Sequence, residues 1–173
     1  MLNETTQIET PRLLLAPLTL KDAPDLQRIT NTAKIIESIS FLQSDFTVED
    51  ARNLISQNGE DVCFLGVWER EEACLVGLFG VHKQDGDEVE IGYWFSQDHQ
   101  GRGFASETLE HATLYLEQKH PKLQIIAECA DENQVSQHVL RKNGFKSTGE
   151  DGKRPGRKRY IWRNWRTRED SNL

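Results

Sequence analysis

The sequence predicts a single α+β domain built on a mixed sheet covered by helices, and three observations carry that expectation. Three strand-like runs, Val62 to Trp68, Cys74 to His82 and Glu88 to Phe95, follow one another across the short turns Glu71-Glu72 and Asp85-Gly86-Asp87, the pattern of an antiparallel meander. Strand and helix patterns then alternate to the C-terminus, which places helices over a sheet of mixed direction. Where the two regimes meet stands Gln100-Gly101-Arg102-Gly103-Phe104-Ala105, a Gly-rich turn joining a strand to an amphipathic helix.

Taken in order, Arg12 to Leu18 reads as a first strand. Thr19-Leu20-Lys21-Asp22 then supplies a hydroxyl cap with an acid three residues on, and starts a helix near Ala23. Thr47-Val48-Glu49-Asp50 repeats the signal and opens a helix to about Gln57, with Ala51, Leu54 and Ile55 at helical spacing. The segment between, Asn31 to Phe46, has no clear period. After the meander, Ala105, Leu109, Ala112 and Leu116 form one stripe of a helix that ends before Pro121. Gln124 to Cys129 is a strand, Gln134 to Lys142 a helix closed by Gly144, and Phe145 to Ser147 and Arg159 to Arg163 are the last two strands.

At 173 residues the chain is expected to form one domain, with a core of about residues 8–165 and a polar tail at 166–173. Cys63, Cys74 and Cys129 are odd in number and widely spaced among apolar neighbours, which suits reduced thiols in a cytoplasmic protein. No Cys-x-x-Cys or paired-histidine spacing suggests a metal, and no signal peptide or membrane span is expected.

Charge is uneven. Residues 1–152 hold 26 acidic and 13 basic side chains, whereas residues 153–168 hold 8 basic and none acidic. An acidic body favours cationic acceptors such as amines, polyamines or basic protein tails, and disfavours gripping nucleic acid over the whole surface. The basic stretch Lys153-Arg154-Pro155-Gly156-Arg157-Lys158-Arg159, followed by Trp162, Arg163, Trp165, Arg166 and Arg168, interleaves aromatics with cations and offers an RNA contact. The plainer expectation is a solvated hairpin and tail.

The Gly-rich turn carries the chemistry. Backbone N–H groups at Gly101, Arg102, Gly103, Phe104, Ala105 and Ser106 stand at the positive end of a helix, a cradle for a pyrophosphate, with Gln100 setting the turn. Two other nucleotide sites fit poorly. Ser106 stands where a dinucleotide fingerprint needs its third small residue, and no Gly-x-x-x-x-Gly-Lys-Ser/Thr occurs.

The order Gln100-x-x-Gly103-x-Ala105 after Glu90-Ile91-Gly92-Tyr93-Trp94-Phe95, with Asn133-x-x-Ser136 and Asn143-Gly144-Phe145 downstream, resembles the GNAT superfamily of acetyl-CoA-dependent N-acetyltransferases. The opening, Glu9 to Leu15 and Leu18 to Ala23, resembles the RimJ/RimL-type branch, whose best-known members acetylate N-termini of ribosomal proteins. The resemblance implies a mostly antiparallel sheet of about seven strands with a splayed parallel pair, flanked by about four helices. It also implies acetyl-CoA as co-substrate, no metal, and possible homodimerisation. The strand backbone at Tyr93, Trp94 and Phe95 is then expected to pair with the pantetheine arm, Asn133 to contact the cofactor and Ser136 to face its pantetheine or sulfur.

Acetyl transfer needs a neutral amine, a polarised thioester carbonyl and protonation of the departing thiolate. A backbone N–H near the end of the Glu88–Phe95 strand is the expected oxyanion donor. Glu90 is the candidate water-relayed base. Many relatives place a Tyr four residues before the Gly-Phe pair. Here that position is Leu140, which leaves Ser136 and Tyr93 for the thiolate. Cys129 is expected as a core residue rather than a nucleophile, and His138 as a surface residue. The leading expectation is acetylation of a protein or peptide N-terminal amine by direct attack. Its alternatives are a small-molecule N-acetyltransferase acting on polyamines, aminoglycosides or amino acids, and a non-catalytic CoA-sensing or RNA-associated module.

Overall fold

The computed structural model describes residues 2–3, 5–39, 41–42 and 45–163. Among these residues one sheet has eight strands: β1 Ile8–Glu9, β2 Leu13–Pro17, β3 Val62–Glu69, β4 Cys74–Lys83, β5 Glu88–Phe95, β6 Gln124–Ala130, β7 Phe145–Asp151 and β8 Arg157–Trp162. They run in the order β1-β2-β3-β4-β5-β6-β8-β7. Among the described residues the five α-helices are α1 Ala23–Thr30, α2 Ala33–Ser38, α3 Val48–Ile55, α4 Phe104–Lys119 and α5 Gln134–Lys142. The expected α+β mixed sheet is present, with β1 and α2 added to the elements read from the sequence.

The helix starts follow their caps. Thr47 Oγ1 accepts the Asp50 N–H at 3.1 Å while the Asp50 carboxylate accepts the Thr47 N–H at 2.8 Å, so two otherwise orphaned donors are satisfied at the head of α3. Asp22 accepts the Thr19 N–H at 2.7 Å and closes a 3-10 turn, Leu20–Asp22, that leads into α1. Apolar periodicity then decides which way each helix faces. Leu109, Ala112 and Leu116 of α4 and Leu140 of α5 are buried in one cluster with Val89, Ile91, Ile125 and Ala127. Leu26 and Ile29 of α1 and Leu54 and Ile55 of α3 are buried in a second, with Phe64, Leu78 and Trp94. Each fully buried large side chain contributes roughly 1.5–3 kcal/mol.

One junction departs from a continuous sheet. β5 pairs antiparallel with β4 along Val89 to Phe95, but parallel with β6 only at Glu88, Glu90 and Val89 between them. β6 meanwhile pairs with β8 from Ile126 to Ala130. Beyond Glu90 and Ile126 the two strands therefore part, and their facing edges at 91–95 and 127–130 carry no ladder between them. This is the splay that the family resemblance implies.

The basic hairpin is not the solvated one expected. Arg154 bonds Glu128 at 2.8 Å and also pairs with Glu90, while Arg159 pairs with Glu88. Lys158 meets Asp151 at 2.5 Å, Lys153 Nζ donates to Gln84 Oε1 at 2.8 Å, and Arg157 donates to the Ser38 carbonyl at 2.6 Å. The acidic body and the basic hairpin neutralise each other within the fold, so these cations are engaged rather than displayed for RNA. Trp165, Arg166 and Arg168 lie outside the described residues, as does the whole of the expected 166–173 tail. No described helix is long and apolar enough to cross a membrane.

Candidate active site

The cradle begins where β5 stops. Ser96 N–H donates to the Val76 carbonyl at 2.8 Å, and Gln100 Nε2 donates to the Phe95 carbonyl at 3.1 Å, so the chain is tied at the strand end before it turns. Gly101 and Gly103 then take φ of +77° and +80°, a left-handed conformation that costs other residues roughly 1–2 kcal/mol. Gly103 is the N-terminal cap of α4 and offers no side chain to its amides. Among the described residues, none of the N–H groups from Gly101 through Ser106 has an acceptor, while the Gly103 carbonyl already accepts from Glu107. Six consecutive amides at a positive helix end thus stand without partners, donors of the kind an anionic pyrophosphate takes.

Sequence reasoning missed what holds this loop. Arg12, at the start of β2, donates from Nε to Glu107 at 2.7 Å and from Nη1 to the Arg102 carbonyl at 2.8 Å. Its guanidinium and that of Arg102 lie 4.8 and 4.7 Å from the ring centroid of buried Phe104. Glu107 also accepts from Thr10 Oγ1 at 2.6 Å and from the Arg12 N–H at 2.8 Å. Desolvation opposes its charge, but the Thr10 and Arg12 bonds and the Arg12 charge together hold its carboxyl below the usual range. β1, β2 and the first turn of α4 are thus locked across the cradle.

The parted strands bring the other expected residues together. Tyr93 Oη and Ser136 Oγ lie 3.0 Å apart, bridging β5 and the first turn of α5. Burial pushes the Tyr93 phenol up to about 12, and the Ser136 bond offsets only part of this. Asn133 caps α5, its Oδ1 accepting the Ser136 N–H at 3.1 Å, and so fixes where Ser136 stands. Asn143 Nδ2 reaches Ser106 Oγ at 2.9 Å and joins α5 to the cradle. Phe95 is buried with the α4 cluster, whereas Trp94 turns to the opposite face, where Nε1 donates to Thr30 Oγ1 at 3.0 Å. For Trp94 only the backbone faces the splay.

Glu90 lies at the point where the strands part, on the face opposite Ile91. Its Oε1 is engaged by Arg154, and Gln84 Nε2 stands 3.4 Å from Oε2. Glu128 is nearly buried and accepts from the Lys153 N–H at 2.5 Å as well as from Arg154, which explains the glycine at 152: a Cβ there would lie 2.6 Å from the Glu128 carboxyl carbon. Leu140 is buried in the core. Cys129 is buried too, with its thiol pushed up by desolvation, and His138 is exposed. The surface hollows lined by Lys146, Ser147 and Ile161 (about 350 Å³) and by Leu2, Asn58 and Cys63 (about 540 Å³) lie away from the splay, and neither gathers these groups.

Comparison with known proteins agrees with this geometry. The family model described as "Acetyltransferase (GNAT) domain" matches residues 12–146. An uncharacterised N-acetyltransferase, YnaD of Bacillus subtilis, is 31% identical over 144 residues, covering 82% of this chain and 84% of its own. The ribosomal-protein-serine acetyltransferase of Escherichia coli is 27% identical over 113 residues, or 61% of this chain and 60% of its own. The structure of RimL, a ribosomal L7/L12 alpha-N-protein acetyltransferase in complex with coenzyme A, superposes with a TM-score of 0.79 at 18% identity, covering 90% of this chain and 96% of that one. The cradle, the parted strands and the family match lead to one conclusion: this chain belongs to the GNAT family of acetyltransferases.

Proposed function

We propose that the protein transfers acetyl from acetyl-CoA to a primary amine, preferably the N-terminal amine of a protein or peptide, by direct attack within a ternary complex. The observation that carries this reading is the conjunction of six unpartnered amides with a strand edge left open beside them. Gly101 to Ser106 hold the pyrophosphate, the open edge of β5 at Tyr93, Trp94 and Phe95 receives the pantetheine arm, and Asn133 and Ser136 border it. Acetyl-CoA supplies the activated acetyl group. A β5 backbone N–H near the splay polarises its carbonyl.

The acceptor class follows from proton energetics. Freeing an α-amine with a pKa of about 7.8 at about pH 7.5 costs roughly 0.4 kcal/mol, against roughly 4 kcal/mol for a lysine. A weak base therefore suffices. Glu90 takes the amine proton through water at Oε2, because Arg154 occupies Oε1. Tyr93, held near 12, stays protonated at every working pH. Giving its proton outright to a thiolate near 8.5 is uphill by roughly 5 kcal/mol. It therefore serves as a hydrogen-bond donor on the leaving-group side, with Ser136 as its partner.

The relatives' names support an N-terminal acceptor, since both the Escherichia coli enzyme and RimL are named for ribosomal proteins. A second reading, a small cationic acceptor, is favoured by the acidic body, net −13 over residues 1–152. Thiol release measured with free-N-terminus peptides, N-terminally blocked lysine peptides and polyamines separates the two. Turnover confined to the first supports the proposal, turnover confined to polyamines replaces it with the second, and binding without turnover on any amine leaves a CoA-binding module.

A further inference from the structure

Three metal-type donors converge just upstream of the cradle, where His99 stands directly before Gln100. Glu69 accepts the N–H groups of Glu71 and Glu72 at 3.1 and 2.6 Å, and Ala73 turns at φ +53°, so the β3–β4 connection presents Glu72 and Cys74 together. Because β4 begins beside the end of β5, the turn Gln97–His99 sets His99 against them. Cys74 Sγ lies 3.7 Å from Glu72 Oε2 and 3.9 Å from His99 Nε2, and His99 Nε2 lies 3.9 Å from Glu72 Oε2.

The size of that triangle is informative. A point equidistant from three donors with these separations is about 2.2 Å from each, within the range of about 2.0–2.3 Å at which zinc holds sulfur, imidazole nitrogen and carboxylate oxygen. A tetrahedral ion raised slightly out of the plane needs the donors to close by only a few tenths of an ångström. The alternative is an ion-free cluster, in which the thiol donates to Glu72 and the carboxylate pairs with His99. That arrangement leaves separations longer than good hydrogen bonds on all three sides.

We propose that Glu72, Cys74 and His99 form a three-donor site for a zinc-class divalent cation, with a fourth position open toward solvent. The donor set selects borderline-soft ions over magnesium or calcium, because it offers one thiolate, one imidazole and a single carboxylate oxygen. Thiolate and carboxylate together neutralise the ion. Glu72 is 57% exposed and His99 15%, so solvent reaches the site from the carboxylate side while the imidazole stays anchored. His99 Nδ1 is buried without a partner among the described residues, so the ring lacks the outer hydrogen bond that usually strengthens metal-binding histidines. With three donors and that bond missing, the expected affinity for zinc is on the order of micromolar. His99 directly precedes Gln100, so an ion here clamps the β3–β4 turn to the entrance of the cradle.

The test uses untagged full-length protein, free of CoA, titrated with Co²⁺ alone and then displaced by Zn²⁺. The expected result is one equivalent bound, with a thiolate-to-cobalt charge-transfer band in the near-ultraviolet that zinc abolishes. Cys74→Ser should remove the band, and Glu72→Gln, at an exposed position, should weaken binding about tenfold while the protein stays folded by circular dichroism. His99→Gln gives a second removal of a donor if Cys74→Ser folds poorly. Absence of the band in folded parent protein, or its persistence in folded Cys74→Ser, overturns the proposal.

Discussion

Replacing Arg12 with Ala tests whether the cradle is held by its brace. Three interactions disappear: the Nε bond to Glu107 at 2.7 Å, the Nη1 bond to the Arg102 carbonyl at 2.8 Å, and the stacking 4.8 Å from the Phe104 centroid. The Arg12 side chain is 46% exposed, so the ion pair is discounted for solvent to about 1 kcal/mol, with about 0.5–1 kcal/mol for each of the others. Water replaces part of this, and Glu107 keeps its bonds from Thr10 and the Arg12 N–H. The net loss is about 2 kcal/mol, a fall of about 4–8 °C in Tm for a chain of this size. The share that orients Arg102, about 1 kcal/mol, should appear as roughly fivefold weaker acetyl-CoA binding. Arg12→Lys keeps the charge but not the fork, and should recover stability more than affinity. Calorimetric titration beside thermal melts separates the two effects. Undiminished affinity in a clearly destabilised Arg12→Ala would refute the brace.

Further outcomes follow from the same geometry. Gly152→Ala places a Cβ against the nearly buried Glu128 carboxylate, and should cost about 2 kcal/mol by thermal melting while acetyl-CoA affinity is unchanged. Tyr93 is raised in the folded state, so its contribution to stability is complete below about pH 10 and is lost as pH rises toward about 12; this loss of roughly 3 kcal/mol, followed by alkaline unfolding monitored at the tyrosinate absorbance, should be absent in Tyr93→Phe. Glu90→Gln should lower kcat at about pH 7.5 by roughly threefold, the share of an α-amine of pKa about 7.8 that is still protonated, with acetyl-CoA affinity intact, and the deficit should vanish at higher pH, where the acceptor amine is already neutral. A pH-independent deficit would assign Glu90 to anchoring Arg154 instead.

Some of this was readable from the chain alone because the signals are local. Asn133 and Gly144 bracket α5 so tightly that its expected and observed limits coincide at Gln134–Lys142. The cradle was legible because glycines and a helix start create it from backbone alone. α2 escaped because it has six residues and Thr32 makes no capping bond, and β1 because two residues carry no period of their own. β8 starts at Arg157, earlier than expected, because residues that read as solvated cations are neutralised by acids across the sheet. The brace and the Glu90 pair were invisible for the same reason. Arg12 meets Glu107 across 95 residues, and Arg154 meets Glu90 across 64, distances that only the fold closes.

The central claim is that the amides from Gly101 to Ser106 hold the pyrophosphate of acetyl-CoA. Isothermal titration of the purified protein with acetyl-CoA tests it most directly, with Gly103→Ala as a control for backbone strain at φ +80° and Gly103→Glu placing a carboxylate in the cradle. Micromolar binding by the parent, weakened in Gly103→Ala and abolished in a folded Gly103→Glu, is the predicted result. No binding by folded parent protein, or equal binding by Gly103→Glu, would contradict it.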